Sequence, residues 1–449
     1  MASSKKPRQN KPCPVVSEVE RQLRALDFGP SSKVLLAFSG GLDSSVLLHV
    51  LWQMQQKILF QLSATHVHHG LSPNADNWAA FCQRICEGYL IPFALEKVVV
   101  DRAGSLGIEA AAREARYRAL TGLQTDWLFM AQHKDDQAET LLLQLARGAG
   151  IKGLSSMAAM DACRKIIRPL LHLTRSQLER YATQHQLEWV EDESNTNTAF
   201  DRNWWRTAAL PLMKKRYPAI VETLSRSARH LAEASALLDD LAVMDAAQCI
   251  HASQLDLTSF AMLSEARQRN LLRWWLQQHD IQAISEARML QLCSQLCHAG
   301  MKKSIHVNVG SDMEIRTYLG GAYLLASRPV CFSAPQERHW QGEPVVLLDD
   351  GSRLEFKKVI GQGIAMHLLH QPLYVRFRQG GEKIRLDANR PSRGLKAVFQ
   401  QYHIPPWQRE HVPLLYLGSD LVAVPGAGYA AQCRPQADET GLAVSWTPA

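Results

Sequence analysis

The sequence predicts an α/β fold with a doubly wound parallel sheet, followed by a mostly helical domain and a small β-rich C-terminal domain. Short apolar runs alternate with helical patterns up to about residue 218, a long helical stripe follows, and apolar alternation with Gly-rich turns begins near His306. At 449 residues, 46% of them hydrophobic, the chain can bury large cores. The predicted segments are a disordered basic arm of unassigned function at residues 1–19 and domains at residues 20–218, 219–330 and 345–449.

Composition and charge narrow the class of protein. No apolar run reaches the roughly 18 residues of a spanning helix, and the N-terminus lacks the apolar core of a secretory signal. We therefore expect a cytoplasmic protein with no membrane partner. Nine scattered cysteines predict reduced thiols rather than a disulfide framework. The net charge of +7 is compatible with an anionic partner such as RNA.

Strands and helices can be placed within the first domain. The clearest strand is Val34–Phe38, and Leu62–Val67 and Trp127–Ala131 are further candidates. Helical patterns follow the last two, at residues 77–89 and 137–147. This alternation predicts a parallel sheet with helices on both faces.

The later regions have different patterns. The strand–helix alternation stops around Pro211–Pro218, where a long helical stripe begins. Further helices are predicted from near Ser264 and near Ser285. Strands with Gly-rich turns are predicted at residues 314–325, 374–378 and 414–424.

A glycine-rich loop separates the first strand from the helix that follows it. It reads Ser39-Gly40-Gly41-Leu42-Asp43-Ser44-Ser45. Consecutive glycines let the backbone approach an anion, and the N–H groups and dipole of the first helical turn favour its negative charge. The alternative is an ordinary Gly-Gly turn with a serine cap, and the preceding strand and following helix argue against it.

The loop is not a Walker motif, because it contains no lysine. Asp43 would stand beside the phosphates, where a carboxylate needs a bridging divalent cation, so it is a predicted Mg²⁺ ligand. The heptapeptide resembles the signature of the PP-loop ATP pyrophosphatases, whose sheet is of the adenine nucleotide α-hydrolase-like type. That resemblance implies ATP cleavage between the α and β phosphates, with AMP passed to an oxygen of the substrate.

Acidic residues open the helix after the third strand. Asp135 and Glu139 share one helix face, and Asp136 shares another with Thr140. Acidic side chains at the C-terminal end of a strand lie where α/β sheets bind ligands, so they predict a site for Mg²⁺ or for an amine substrate. The alternative, a preference of Asp and Glu for helix N-termini, explains one or two carboxylates but not three beside a histidine.

Two other groups are candidates for nucleotide contacts. The first is a helical stripe formed by Glu109, Arg113, Arg116 and Tyr117. An arginine there could neutralise the α-phosphate, although a surface pair between Glu109 and Arg113 explains the pattern equally well. The second is the end of the second strand, which carries His66, His68 and His69. We expect these histidines to line the nucleotide pocket rather than bind zinc, because no Cys or acidic residue stands at a ligand-like spacing.

The cysteine spacing disfavours sulfur chemistry. No Cys-X-X-Cys motif occurs, and the pairs Cys82/Cys86 and Cys293/Cys297 are four residues apart, as small buried hydrophobes on one helix face would be. Sulfur-inserting PP-loop enzymes that use an iron–sulfur cluster or a persulfide would require such a motif.

The motifs together resemble one family, the bacterial tRNA(Ile)-lysidine synthetases. The resemblance covers nearly the whole chain after the N-terminal arm and is strongest between Val34 and Leu212. It rests on residues 39–45, 66–71, 109–117, 133–140, 147–150, 168–171, 191–195 and 201–206.

The resemblance implies a reaction and its participants. ATP adenylates the C2 oxygen of the wobble cytidine in an isoleucine tRNA with a CAU anticodon, and the ε-amine of free L-lysine then displaces AMP to form lysidine. The implied cofactors are ATP and Mg²⁺, and no obligate protein partner is implied. An adenylated oxygen is a good leaving group, and an amine held by carboxylates is positioned for attack.

The resemblance also implies residue roles. ATP is bound by Ser39, Gly40, Gly41, Leu42, Asp43, Ser44 and Ser45, with His66, His68 and Arg113. Mg²⁺ is held by Asp43 and Asp136, and the lysine ammonium by Asp135, Asp136 and Glu139. Arg202 and Arg206 steady the adenylate or the RNA. The implied catalytic residues are Asp43, Arg113, Asp135, Asp136, Arg202 and Arg206.

The C-terminal region has the composition of an RNA-binding surface. Basic residues alternate with aromatic ones there, and the predicted tRNA contacts are Arg376, Arg378, Arg385, Arg393, Lys396, Trp407 and Arg409. The alternative is a solvated face of a β domain.

Two rival functions remain open from the sequence. One is a PP-loop enzyme that acts on a small molecule, as a GMP-synthetase-like protein does, and the C-terminal region discriminates against it. The other is a non-catalytic tRNA-binding protein with a vestigial ATP site. The presence of Asp43, Arg113, Asp135 and Asp136 argues against that second rival.

Overall fold

A computed structural model of the chain describes residues 13–26, 28–100, 108–193, 198, 200–251, 253–281, 284–299, 304–310, 312–327 and 337–448. Contacts divide the chain into two compact units, Met1–Leu238 and Asp239–Ala449. The boundary lies within one long helix, 20 residues after the predicted boundary at 218. Most of the predicted basic arm, residues 1–12, lies outside the described residues.

The first unit contains a mainly parallel sheet. Its strands are β1 (Lys33–Ala37), β2 (Gln61–His68), β3 (Phe93–Lys97), β4 (Trp127–Phe129), β5 (Met160–Asp161) and β6 (Ile166–Ile167). Their order is β3-β2-β1-β4-β6-β5, and only the β5–β6 pair among these is antiparallel. The three strands predicted from apolar runs correspond to β1, β2 and β4.

The first unit also contains helices, the last of which continues into the second unit. They are α1 (Pro14–Arg24), α2 (Leu42–Met54), α3 (Ala75–Gly88), α4 (Ile108–Thr121), α5 (Lys134–Ala146), α6 (Ile151–Leu154), α7 (Arg175–Gln184), α8 (Asp201–Trp204), α9 (Leu210–Arg216) and α10 (Ile220–Cys249). A π-helical turn, Trp205–Ala209, joins α8 to α9. Helix α1 overlaps residues 14–19 of the predicted arm, so the arm prediction is corrected there. Val15, Val19 and Leu23 are buried on one face of α1, which explains why this stretch is ordered.

Residues that alternate along β1 and into Phe38 pack in two separate hydrophobic cores, one on each face of the sheet. Val34, Leu36 and Phe38 pack in one cluster with buried residues of α1, α2, α3 and α7. Leu35 packs on the opposite face with Leu120 of α4 and with residues of β4 and β6. Helices therefore cover both faces, which confirms the doubly wound sheet.

The strand order places a crevice between β1 and β4. The chain runs from β1 outward to β2 and β3, and then returns to the other side of β1 with β4. Such a reversal leaves a gap at the carboxyl ends of the two central strands, where ligands bind in open α/β sheets. The glycine-rich loop follows β1, and the acidic start of α5 follows β4.

The first part of the second unit combines helices with an antiparallel sheet. After α10 come β7 (Ile250–His251), β8 (Gln254–Asp256), α11 (Leu257–Met262), α12 (Glu265–Gln277), α13 (Glu286–Ala299), β9 (His306–Asn308), β10 (Met313–Tyr318) and β11 (Gly321–Ala326). Helices α12 and α13 begin just after Ser264 and Ser285, as predicted. The sheet order is β7-β8-β11-β10-β9, and β7 and β8 were not predicted, because two- and three-residue strands leave no periodic pattern.

The C-terminal part is β-rich, as predicted. Its elements are β12 (Arg338–Trp340), β13 (Val345–Leu347), β14 (Arg353–Ile360), β15 (Ile364–Ala365), β16 (Leu373–Arg376), β17 (Lys383–Ile384), β18 (Arg393–Gly394), α14 (Leu395–Gln401), β19 (Leu414–Leu417), β20 (Asp420–Val424), β21 (Gly428–Tyr429) and β22 (Thr440–Thr447), with 3₁₀ turns at Met366–His370 and Ala431–Cys433. The sheets β12-β16-β19-β20-β21 and β13-β14-β22-β15 contribute to one hydrophobic core. Among the described residues, no helix is long and apolar enough to cross a membrane.

We predict that Gly40→Ala lowers the free energy of unfolding by about 1–3 kcal/mol. Gly40 has a φ of +80°, and an added Cβ would lie 2.9 Å from the Sγ of buried Cys82 and 3.1 Å from Cγ2 of Val190. Denaturant titration of the two proteins measures the difference.

The neighbouring glycine provides the control. Gly41 has a φ of −73°, and the nearest atom to an added Cβ would be 3.6 Å away. Gly41→Ala should therefore cost less than about 1 kcal/mol, as a weaker helix cap does. Equal losses in the two variants would refute the argument from backbone geometry.

Candidate active site

The glycine-rich loop forms an open helix N-terminus. Gly41 precedes α2 in an extended conformation and has no side chain with which to cap the helix. The Ser44 hydroxyl donates to the Gly41 carbonyl at 3.0 Å, and its Oγ lies 3.1 Å from the Oγ of Ser39. Backbone N–H groups of the first turn and these hydroxyls can therefore surround an anion such as a polyphosphate.

His133 connects this loop to the acidic helix. Its buried ring places Nε2 3.5 Å from a carboxylate oxygen of Asp43 and 3.5 Å from one of Asp136. Burial opposes a charge on the ring, but the negative charges of Asp136 and Asp43 outweigh it and raise the pKa of His133 to about 9. The imidazolium therefore holds the two acidic side chains together across the crevice.

Two arginines pair with Glu139, the third acidic side chain of α5, as well as with Asp136. Arg202 donates to Glu139 and to Asp136, both at 3.0 Å. Arg206 donates to both oxygens of Glu139, at 2.7 and 2.9 Å, and to Asp136 at 3.0 Å. Glu139 is only 2% exposed, so its carboxylate is fully occupied by guanidinium groups. Burial would raise the pKa of Asp136, but His133 and the arginines lower it, and the carboxylate stays ionised.

Asp135 has a different environment. One oxygen accepts from the backbone N–H of Arg175 at 3.0 Å, and the other accepts from the ammonium of Lys214 at 3.1 Å. Burial opposes ionisation of Asp135, but these two hydrogen bonds lower its pKa. Of the three carboxylates predicted to bind lysine, Asp135 therefore already pairs with an ammonium, whereas Asp136 and Glu139 pair with guanidinium groups.

The residues around Asp43 fit a divalent cation. Its Oδ1 is buried and has no hydrogen-bond partner within the described part of the chain, whereas Oδ2 faces His133 and lies 3.7 Å from Arg175. Both oxygens of Asp136, the other predicted Mg²⁺ ligand, already accept hydrogen bonds. In the described residues no group of three or more His, Cys, Asp or Glu side chains is arranged to hold a metal alone. A cation at Asp43 would thus take most of its oxygen ligands from a phosphate substrate and water.

The predicted nucleotide-pocket histidines have distinct surroundings. Nδ1 of His66 lies 3.0 Å from the carbonyl oxygen of Phe38, directly before the loop, so this residue supports the loop from behind. His68 lies 3.2 Å from Asp76. Burial and the nearby charge of Arg116 lower the pKa of His69 to about 4, so its ring is neutral.

The arginine stripe of α4 surrounds a phenol. The guanidinium of Arg113 lies over the ring of Tyr117, 5.1 Å from its centre. Burial would raise the pKa of Tyr117, but the charges of Arg113 and of buried Arg168 lower it. Arg116 adds a further positive charge that acts on His66 and on Arg202. This side of the crevice is therefore strongly positive, as a site for phosphates requires.

The predicted tRNA contacts fall into three groups. Arg385, Arg393 and Lys396 are exposed, and with exposed Lys383 and Arg390 they form a surface on β17, β18 and the start of α14, which we call the basic hairpin surface. Arg376 and Arg378 are half-buried; Arg376 lies over Tyr416 and pairs with Glu337 at 3.0 Å.

Trp407 and Arg409 have packing contacts instead. The Trp407 ring meets the edges of Tyr318 and Tyr323, with ring centres 6.1 and 5.2 Å apart. Arg409 donates to the carbonyl oxygen of Ile404 and to the hydroxyl of Tyr318. These two half-buried residues join the β-rich part of the second unit to the β10–β11 hairpin.

Three residues of the site were not singled out from the sequence. His133 had a signal, since it stands two residues before the first of the paired aspartates. Arg175 and Lys214 had none, because they lie 40 and 79 residues from Asp135 and only folding brings them together.

Family models match three parts of the chain. A PP-loop domain matches residues 15–213, a TilS substrate binding domain matches residues 255–323, and a TilS substrate C-terminal domain matches residues 373–446. A solved structure, the U34-tRNA thiolase NcsA from Methanococcus maripaludis, is 18% identical and covers 49% of this chain and 78% of its own with a TM-score of 0.42. That similarity is too low to support an argument about function.

Curated relatives match over nearly the full length. The tRNA(Ile)-lysidine synthase of Nitrosomonas europaea is 38% identical over 430 residues, which cover 93% of each chain. The protein of the same name from Coxiella burnetii is 38% identical over 424 residues, covering 93% of this chain and 94% of its own. The PP-loop domain, the two further domains and these relatives agree, and the chain belongs to the tRNA(Ile)-lysidine synthase family.

Proposed function

We propose that this enzyme ligates L-lysine to C2 of the wobble cytidine in tRNA(Ile) with a CAU anticodon, consuming ATP and releasing AMP and pyrophosphate. The observation that carries the proposal is the position of His133. Its Nε2 lies 3.5 Å from a carboxylate oxygen of Asp43 in the phosphate-binding loop and 3.5 Å from one of Asp136 at the acidic start of α5. A site for ATP and a site for an amine thus share one crevice. Membership of the family supports the choice of tRNA and lysine.

The first step is adenylation. The C2 oxygen of cytidine forms a bond to the α-phosphorus as the bond to the β-phosphate oxygen breaks, and pyrophosphate leaves. The first turn of α2, with Ser39 and Ser44, holds the departing pyrophosphate, because its N–H groups point into the crevice. Arg113 and Arg116 would balance the negative charge of the nucleotide.

Mg²⁺ fits at Asp43, whose Oδ1 is free to bind it. When bound, the cation neutralises phosphate charge and stabilises the leaving pyrophosphate. Asp136 contributes by holding His133 and the two arginines in place: both guanidiniums donate to its Oδ1, and Oδ2 accepts from the backbone N–H of His133.

The second step is attack by lysine. The ε-ammonium of lysine first loses a proton to water, and the neutral amine adds to C2. AMP leaves with the C2 oxygen and the nitrogen releases a second proton to water, so that the carbon–oxygen bond is exchanged for a carbon–nitrogen bond. Asp135 is the carboxylate best suited to hold an ammonium group of lysine, because its present partner is an ammonium. Glu139 and Asp136 serve through Arg202 and Arg206, whose charges face the adenylate.

The basic hairpin surface is proposed to bind the tRNA backbone. Its five exposed cations lie on one short stretch, and phosphate contacts by Lys and Arg supply most of the affinity of such surfaces. With tRNA, ATP and lysine as substrates, we place the enzyme in the cytoplasm and propose no obligate protein partner.

The reaction can be tested directly. Incubation with ATP, Mg²⁺, labelled lysine and tRNA carrying a CAU anticodon should transfer label to the RNA and release AMP. Release of ADP, or AMP release that needs no tRNA, would show that the proposal is wrong.

Asp43→Asn should reduce adenylation more than about 100-fold, because the amide oxygen cannot replace a charged ligand. Transfer of α-labelled AMP to tRNA measures this, while a filter assay for tRNA binding should give an unchanged Kd. Asp240→Asn, an exposed change on α10, is the matched control and should react normally. Normal turnover in Asp43→Asn would remove the assigned role.

Charge reversal on the basic hairpin surface should weaken tRNA binding. The double variant Arg393→Glu/Lys396→Glu should lose about tenfold or more in affinity, and the slope of log K against log salt should fall in magnitude by up to about 2. The Kd for ATP should not change. The control Lys357→Glu/Lys358→Glu reverses two charges on β14, and an equal loss there would mean that net charge, not this surface, controls binding.

A further inference from the structure

The ion pair between Asp135 and Lys214 has no part in the reaction described above. Lys214 lies on α9 and places its ammonium 3.1 Å from Oδ1 of Asp135. The side chain of Asp135 is 14% exposed and that of Lys214 is 46% exposed. The pair therefore lies at the open rim of the site, with one oxygen of Asp135 fixed by the Arg175 backbone and the other held by a long, half-exposed side chain.

The three acidic residues of α5 differ in how easily a new cation could reach them. Glu139 and Asp136 accept from two guanidiniums each, in a buried network. Displacing a buried, doubly bound guanidinium leaves charges without partners and is costly. The pair of Asp135 with a single, half-exposed ammonium has fewer partners to lose, so Asp135 is the carboxylate of the three at which exchange costs least.

The group that binds Asp135 is an ammonium, the same chemical group that ends the side chain of the substrate lysine. Lys214 presents a primary ammonium on a flexible four-carbon stem, as free lysine does. We propose that Lys214 is an internal competitor: it occupies the lysine subsite at Asp135 in the lysine-free enzyme, is displaced when lysine binds, and so raises the KM for lysine. This inference rests on the proposed function, since it needs lysine to bind at Asp135.

Removing the competitor should improve lysine binding. In the complete reaction with full-length enzyme, Lys214→Gln should lower the KM for lysine about two- to fivefold, the range that an exposed ion pair represents. The KM for ATP should not change. Lys214→Arg keeps the positive charge and should keep the KM at or above the wild-type value.

Lys215→Gln is the matched control. Lys215 is the next residue on α9, is exposed, and removal of its charge should leave the KM for lysine unchanged. An unchanged or higher KM in Lys214→Gln would overturn the inference, and so would an equal decrease in Lys215→Gln, which would indicate a general charge effect.

The assay separates this inference from the proposed function. If the wild type transfers no lysine to tRNA, the proposed function itself fails. If the wild type transfers lysine and adenylates tRNA normally but Lys214→Gln shows no gain in lysine affinity, only the competitor role fails.

Discussion

The buried network of Asp136, Glu139, Arg202 and Arg206 is the interaction on which the site depends. It joins the start of α5, at the centre of the sheet, to the helix of residues 201–216. These charges are satisfied mainly by one another, with His133 as a further partner of Asp136. Loss of one partner from such a pair costs about 3–5 kcal/mol because a buried charge remains. The network therefore fixes both Arg202 and Arg206 and the helix that carries Lys214.

The helix of residues 201–216 is not regular, and its irregularity lies beside this network. A π-helical turn at Trp205–Ala209 separates α8 from α9, and it contains Arg206 but not Arg202. Single π turns are uncommon and often occur at functional sites, because they change the direction of one side chain relative to the next turn. Here both guanidiniums reach the same two carboxylates, and Pro211 follows within α9, where the missing N–H is tolerated near a helix start.

In the second unit, the composition of the sequence and the exposure of the side chains lead to different conclusions about which residues can bind RNA. Its basic and aromatic residues are interleaved along the sequence, yet Trp407 and Arg409 pack on Tyr318 and Tyr323 while Arg393 and Lys396 face solvent. Arginine and tryptophan are suited to both situations, since each has a flat surface for packing as well as polar atoms. The exposed subset presents its charges to solvent, where phosphates can reach them.

The sequence by itself determined the sheet, the phosphate loop and the family, because apolar periodicity, Gly40-Gly41 and Asp43 act over a few neighbouring residues. It also indicated Asp135, Asp136 and Glu139, which lie on a single helix turn. Only the tertiary structure decided which of these carboxylates is filled by guanidinium and which by ammonium. Arg175, Arg206 and Lys214 are distant along the chain, and a local pattern carries no information on which charge will meet which after folding.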